Sequence, residues 1–343
     1  MRIAVLEHFT ALPERRRDPG LEAEGRAMRD AVVADLRRLP GVEVAIVERR
    51  RAFREMVRRA DAALVIAPEQ GGALERLCHA VEEEGRILLG PSAAAVRLAA
   101  DKGRTARLLA AAGIKTPRTE SIPFAAARAR LRGWPPPFVL KPRDGCGARG
   151  ISLVLRRSDI DRALARARRA TDRPDLLVQE YLPGEDASVS IIAGAGPGRP
   201  LLALGLGRQI VARGGRLVYL GGKVPWPHPR AREAARAAQD AVGALDRAAA
   251  GVRGYLGVDL ILGPQGVSVI EVNPRLTTSY VGLRRVIREN LAGLIARAAL
   301  GRALPSRLTV DGWCRFRADG TVSETIGEER WPTTSAGTSA ASI

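Results

Sequence analysis

Gly257-Val258-Asp259-Leu260-Ile261-Leu262 and Val267-Ser268-Val269-Ile270-Glu271-Val272-Asn273, joined through Gly263-Pro264-Gln265-Gly266, decide how this chain is read. Two apolar runs meet across a short glycine-containing link, which marks a β-hairpin. A three-residue loop, Pro264-Gln265-Gly266, with glycine where φ is positive, sets Asp259 directly opposite Glu271. Their Cβ atoms then lie about 4.5–5.5 Å apart. Alternation puts Asn273 on the same face as Glu271. Like charges opposed in a strand pair repel unless something positive lies between them. Oxygen ligands with room left for water and phosphate suit Mg²⁺. On that reading, loss of Glu271 relieves repulsion in the metal-free protein. A solvated hairpin face is the bland alternative, and a slip of one residue would part the two acids.

Upstream, the short strand Phe138–Lys141 runs into Asp144-Gly145-Cys146-Gly147-Ala148-Arg149-Gly150. Glycines let backbone N–H groups approach and cradle phosphate, and a lysine adds a point charge. No Gly-Lys-Ser/Thr follows, so this is not a Walker loop; a bare glycine loop can also be only a turn. Next comes Val178-Gln179-Glu180-Tyr181-Leu182-Pro183-Gly184-Glu185-Asp186. As an extended segment it offers backbone groups to a purine edge and a carboxylate to ribose hydroxyls; an acidic turn between strands is the alternative.

Around these lie further elements. Apolar runs at Ile3–Leu6, Val42–Val47, Ala62–Ile66 and Ile87–Leu89 alternate with helical stretches at Ala23–Arg38 and Leu74–Glu84, which argues a small parallel α/β unit. No G-x-G-x-x-G follows its first strand, so dinucleotide binding has no support there. Helices are expected over Ala93–Ala112, Arg230–Ala250 and Val281–Leu300, and strands at Ile151–Leu155, Leu176–Gln179 and Ala187–Ala193. The pattern weakens over the last forty residues, and Thr333–Ile343 reads as a frayed tail.

Composition bounds the function. The 343 residues carry a net charge of +18, but only four of the 55 basic residues are lysine (Lys102, Lys115, Lys141, Lys223), leaving 51 arginines. That skew reads as a genome-wide bias rather than a designed patch, and aromatics at 4% are too few for single-strand stacking platforms. Where arginine is the default base, each surviving lysine answers a specific need. Cys78, Cys146 and Cys314 form no metal or disulfide pattern, which suits a reducing cytosol. No apolar run reaches membrane-spanning length, and the start MRIAVLEHFT lacks the form of a signal peptide.

Lysine and glycine loop, then hinge, then Asp…Glu-x-Asn on a hairpin, in that order, resembles the ATP-grasp family from about Ala93 to Leu300. The resemblance implies an α/β and α+β chain: an ATP-grasp fold preceded by a small parallel α/β domain. The units would be residues 1–91, a lid subdomain 92–178 with the glycine-rich loop, a C-terminal subdomain 179–305 with the metal hairpin, and a partly flexible extension 306–343. It also implies ATP and Mg²⁺ (or Mn²⁺) as cofactors. Lys102 and Lys141 would meet the nucleotide, and the loop of Asp144, Gly145, Gly147 and Gly150 would close over its phosphates. Gln179, Glu180 and Leu182 would frame adenine, with Asp186 at the ribose. Asp259, Glu271 and Asn273 would hold one or two metal ions. Two positions depart from the pattern: Asp186 replaces the usual Glu, and Arg149 stands where a small residue is commoner, as an added phosphate contact.

Within that family, Ile66-Ala67-Pro68-Glu69, Ser92 to Lys102, Tyr219-Leu220-Gly221-Gly222-Lys223 and Glu271-Val272-Asn273-Pro274-Arg275-Leu276-Thr277-Thr278 look most like the tyramine–glutamate ligases of methanofuran synthesis and their bacterial relatives. This implies a carboxylate–amine ligase that forms an acyl phosphate, with γ-glutamyl-tyramine as the candidate product. Arg275 is expected to grip the carboxylate and departing phosphate through its planar fork, with Lys223 as a second catalytic cation. Glu69 and Tyr280 are candidates for holding the amine. The partners expected are a small carboxylate and an amine, no specific nucleic acid and no membrane, with a homodimer left open. Two other readings stand beside this one. One is a carboxylase-type enzyme using bicarbonate, lowered because the sequence carries no biotin-carrier segment. The other is a basic binding module with a degenerate nucleotide site.

Overall fold

A computed structural model describes residues 1–14, 18–145, 147–196, 200–213 and 217–325. Strand β1 (Arg2–Glu7) is buried at every position but its first, so it lies at the centre of a sheet. Helix α1 (Pro19–Arg37) begins where the Asp18 side chain accepts from Leu21 N at 3.0 Å, with Pro19 just inside the start. Strand β2 (Glu43–Ile46), helix α2 (Phe53–Arg58), strand β3 (Ala62–Ile66), helix α3 (Ala73–Glu83) and strand β4 (Ile87–Leu88) complete the unit. Its strands are all parallel in the order β2-β1-β3-β4, the small parallel α/β unit expected.

Helices α4 (Ala93–Ala100) and α5 (Lys102–Ala111) replace the single helix expected here. Asp101 is extended between them, caps α5 by accepting from Arg104 N, and takes a bidentate grip from Arg143. The break puts Lys102 on the first turn of α5. Strand β5 (Thr119–Pro123), helix α6 (Ala127–Arg130), strands β6 (Phe138–Pro142) and β7 (Ser152–Val154), helix α7 (Ile160–Arg169) and strand β8 (Asp175–Glu180) follow. The strands form an antiparallel sheet in the order β5-β8-β6-β7.

The third sheet has seven strands. Strands β9 (Glu185–Ala193), β10 (Leu201–Arg213) and β11 (Leu217–Val224) precede helix α8 (Ala231–Ala248), strands β12 (Gly254–Gly263) and β13 (Gly266–Asn273), and helices α9 (Ser279–Val286) and α10 (Leu291–Ala299). The single helix expected over Val281–Leu300 is thus two, because Asn290 starts α10 by accepting from Gly293 N while its amide donates to Asp35 O. Part of the segment 306–343 expected as an extension joins this sheet as β14 (Trp313–Arg317) and β15 (Val322–Thr325). Cys314 and Phe316 alternate inward and are buried. The order is β13-β12-β9-β10-β11-β14-β15. The tail Thr333–Ile343 lies outside the described residues. One core cluster runs from β1 and α1 to α9, α10 and Phe316, so the parallel unit packs directly on the large sheet. Among the described residues no helix is long and apolar enough to cross a membrane.

Candidate active site

The hairpin reaches the expected pairing by another route. Gly263 pairs with Gly266, so the link is the two residues Pro264-Gln265 rather than three. A bulge between the Leu260–Val269 and Asp259–Glu271 pairs then adds one residue, Ile270, on β13. The two departures cancel, and Asp259 faces Glu271. The bulge is a local feature that aims two acids at one place.

Both acids line a cavity of about 230 Å³ between the lid sheet and the large sheet. Lys102 Nζ lies 2.7 Å and Lys141 Nζ 4.0 Å from Glu271 Oε2. Burial works to raise the Glu271 pKa, but the two ammonium groups outweigh it and hold the carboxyl well below the usual range. Asp259 has the opposite balance: burial and the charge of Glu271 push its pKa up. Its oxygens accept from Gln209 Nε2 at 2.7 Å and Asn273 Nδ2 at 3.0 Å. Two carboxylates forced together, the Asp259 pKa raised by burial and then by its neighbour, make with the Asn273 side chain a donor set that fits a divalent cation.

Lys141 is buried on β6; burial lowers its pKa to about 8 despite the pull of Glu271. In the loop beyond it, Gly147 and Ala148 line the cavity, and both have positive φ, at 59° and 57°. Gly150 serves packing: at φ 75°, a Cβ there would meet Ala170 and Pro142 at 2.6 Å. Asp144 does not line the cavity. Its carboxylate accepts from Thr171 Oγ1 at 2.7 Å and Gly71 N at 3.2 Å, which anchors the loop. Gly145 is likewise absent from the lining, packed beside Pro142. Cys146 lies outside the described residues. Arg149 pairs with Asp18 at the cap of α1 rather than pointing to a phosphate site.

At the far end Gln179, Glu180, Tyr181 and Leu182 line an apolar slot with Val139, Leu153 and Leu260. Gln179 is fixed by its bond to Thr119 Oγ1 at 2.8 Å. Asp186 also lines the cavity, with its carboxylate paired to Arg213.

Arg275 lines the opposite end, where its Nε donates to Glu69 Oε1 at 2.9 Å and its Nη1 to Leu276 O at 3.3 Å. Glu69 is therefore a partner of Arg275. Tyr280 is fully buried and donates to Asp35, which Arg284 also grips, so it does not reach the cavity. Lys223 is not at the cavity either: its Nζ sits 3.5 Å from the centre of the Trp313 ring. The Gly221-Gly222 pair before it answers to packing, since a Cβ on Gly221 would come within 2.0 Å of Phe316 O. Gln209 and Glu24 line the cavity without a signal in the sequence, and Tyr219, quoted there only as part of a motif, lines it too. Gln209 and Tyr219 belong to β10 and β11, whose glycine-broken runs hide the strand alternation.

Three sheets, a glycine loop over a cleft and an acid pair on a hairpin define a nucleotide-clamping class of fold. The profile described as "ATP-grasp domain" matches residues 99–279, and that of the "pre ATP-grasp 3 domain" matches 27–96. The chain belongs to the ATP-grasp family. It is 30% identical over 240 residues to the tyramine–L-glutamate ligase of Methanocaldococcus jannaschii, a match covering 70% of this chain and 63% of that ligase. The crystal structure of an ATP-grasp superfamily protein from Archaeoglobus fulgidus superposes with a TM-score of 0.68 at 23% identity, covering 92% of each chain. That of D-alanine–D-alanine ligase from Bacillus anthracis, complexed with ATP, gives 0.65 at 18% identity, covering 88% of this chain and 97% of that one.

Proposed function

We propose that this chain is an ATP-dependent carboxylate–amine ligase that works in the cytoplasm through an acyl phosphate. One observation carries the reading: a single cavity joins an apolar slot to an opposed acid pair, a buried lysine and an arginine. A carboxylate is a poor electrophile, so phosphorylation comes first. A carboxylate oxygen of the acid attacks the γ-phosphorus, the bond to the bridging oxygen breaks, and ADP leaves. The amine nitrogen then attacks the acyl carbon, inorganic phosphate departs, and the amine's proton passes to solvent. The work of the chain is positioning and electrostatics. Gln179, Glu180 and Leu182 flank the base, Asp186 the ribose, and Lys141 and the Gly147–Ala148 backbone the phosphates. Asp259, Glu271 and Asn273 would hold Mg²⁺, which supplies charge neutralisation at the phosphates when bound. Arg275 steadies the carboxylate.

The name of the 30% identical relative supports L-glutamate as the acid and tyramine as the amine. The test is ADP release across a panel of acids and amines, with ¹⁸O in the acid's carboxylate. ADP and labelled phosphate are expected. AMP, or no label in phosphate, overturns the mechanism. Release that needs bicarbonate and no amine assigns a carboxylase.

Lys141 gives a pH test. Its ammonium is charged below about 8. As pH rises through that value, more of it is neutral and must take up a proton to meet a phosphate. ATP affinity should therefore be level near neutrality and fall by up to about tenfold per pH unit above it. Calorimetry of ATP binding checks this, with Lys141→Arg giving a flat profile. A flat wild-type profile removes Lys141 from the phosphates.

A further inference from the structure

The cavity end away from the apolar slot is closed by the parallel α/β unit, through one charged side chain. Glu24, in the second turn of α1, lines the main cavity together with Tyr219, Thr278 and Ser279. It also lines a small side pocket with Phe9, Met28 and Arg275. Thr278 Oγ1 donates to Glu24 Oε1. Among the described residues no lysine, arginine or histidine pairs with Glu24. The chain carries 51 arginines, and several acids at or beside the cleft meet a cation: Glu69 with Arg275, Glu271 with Lys102, Asp186 with Arg213. Asp259 and Glu180 accept from amide N–H groups instead, whereas Glu24 has only a hydroxyl among the described residues. A half-buried carboxylate held in place by a hydroxyl and left without a counter-ion costs free energy unless a cation meets it in use. Glu24 also comes from a different unit than the acid pair, so the ligand it meets spans both units.

We propose that Glu24 is the binding residue for a primary ammonium group of a substrate. This rests on the ligase reading for the identity of that substrate, and on the geometry for the class of group. The ammonium belongs either to the amino-acid donor, whose reacting carboxylate lies toward Arg275, or to the amine. Both present the same three N–H donors to one carboxylate oxygen. Arg275 and Glu24, lining the same two pockets with opposite charge, then set the polarity of the bound molecule: carboxylate to Arg275, ammonium to Glu24.

The test uses the full chain and Glu24→Gln, which keeps an oxygen for Thr278 while removing the charge. L-glutamate, L-lysine, tyramine and putrescine are titrated calorimetrically into both proteins, followed by the N-acetyl derivative of each binder. At least one ammonium compound should bind the wild type, and its Kd should rise roughly tenfold or more in Glu24→Gln. Its N-acetyl derivative should bind both proteins alike, a difference that a purely structural Thr278 tie would not produce. ATP affinity should match wild type, and the thermal midpoint should lie level with it or above, since the uncompensated charge is gone. Where turnover is seen, a KM rise confined to the acid assigns the donor's ammonium to Glu24, and one confined to the amine assigns the nucleophile. Equal affinities in the two proteins, or no ammonium compound binding the wild type, overturn the assignment. Charge-dependent binding with no ADP formation from any pair would leave Glu24 assigned and overturn the ligase reading instead.

Discussion

Glu271→Gln should lower ADP formation by on the order of 10²–10³-fold and also weaken the fold, whereas Asp259→Asn should lose activity without that weakening. The two acids face each other, yet they stand in opposite electrostatic positions. Glu271 is the counter-ion of Lys102 and Lys141, whose pKa values are set against burial largely by its charge. Neutralising it leaves two ammonium groups in a buried site facing an amide, which costs about 3 kcal/mol by the usual size of a broken buried pair. The repulsion argument alone gives the opposite sign for Glu271, because it takes no account of the lysines. Asp259 is where that argument holds: burial and Glu271 raise its pKa, and an asparagine keeps one acceptor oxygen for Gln209 or Asn273 while the other amide turns its oxygen to the new NH2. Urea melts in the absence of metal should therefore show Glu271→Gln below wild type and Asp259→Asn level with it or above. Wild-type turnover in both variants at limiting Mg²⁺ would remove the metal assignment. Equal destabilisation in both would remove the account of the lysines.

The sequence made some of this legible and concealed the rest for physical reasons. Local signals held well. The parallel unit, the hairpin and the Ala/Arg helix α8 carry their periodicity within one segment, and the structure has them within a few residues. Two errors in the hairpin, a loop one residue too long and an unseen bulge, cancelled at Asp259 and Glu271. The lysine argument held in part. Lys102 and Lys141 meet at Glu271, but Lys115 bonds the hairpin turn at Gln265 O and Lys223 lies on Trp313. A scarce residue type marks a need; it does not say which. What the sequence could not show is pairing across units. Glu69 is distant from Arg275 in the chain and meets it only once the parallel unit docks on the large sheet. Asp144 stands in a phosphate-loop pattern but is drawn away by Thr171 and Gly71. Glu24 lies between Leu21 and Met28 on the pocket-facing side of its helix, and nothing local in the sequence marks that side as facing a cavity.

Arg275→Lys should lower turnover by roughly a hundredfold while moving ATP affinity by less than about threefold. Lysine keeps the charge but cannot reproduce a guanidinium held at two points, with Nε on Glu69 and Nη1 on Leu276 O. Those contacts fix the plane of the fork, and Asn273 O accepting from Arg275 N at 2.9 Å fixes the backbone beside the hairpin acids. On the proposed reading, a fork fixed in this way would meet charge that builds on the acyl phosphate and leaves with inorganic phosphate. On that reading it would have no part in holding the nucleotide base beside Gln179 and Leu182. The loss should therefore fall on kcat, with the acid's KM changing less. Glu69→Gln supplies the control. It leaves Arg275 in place but loosens its Nε contact, so its kcat should lie between wild type and Arg275→Lys. If ATP affinity falls in step with turnover in Arg275→Lys, the arginine serves nucleotide binding. If Glu69→Gln equals wild type, the fixed plane of the fork is not what catalysis uses.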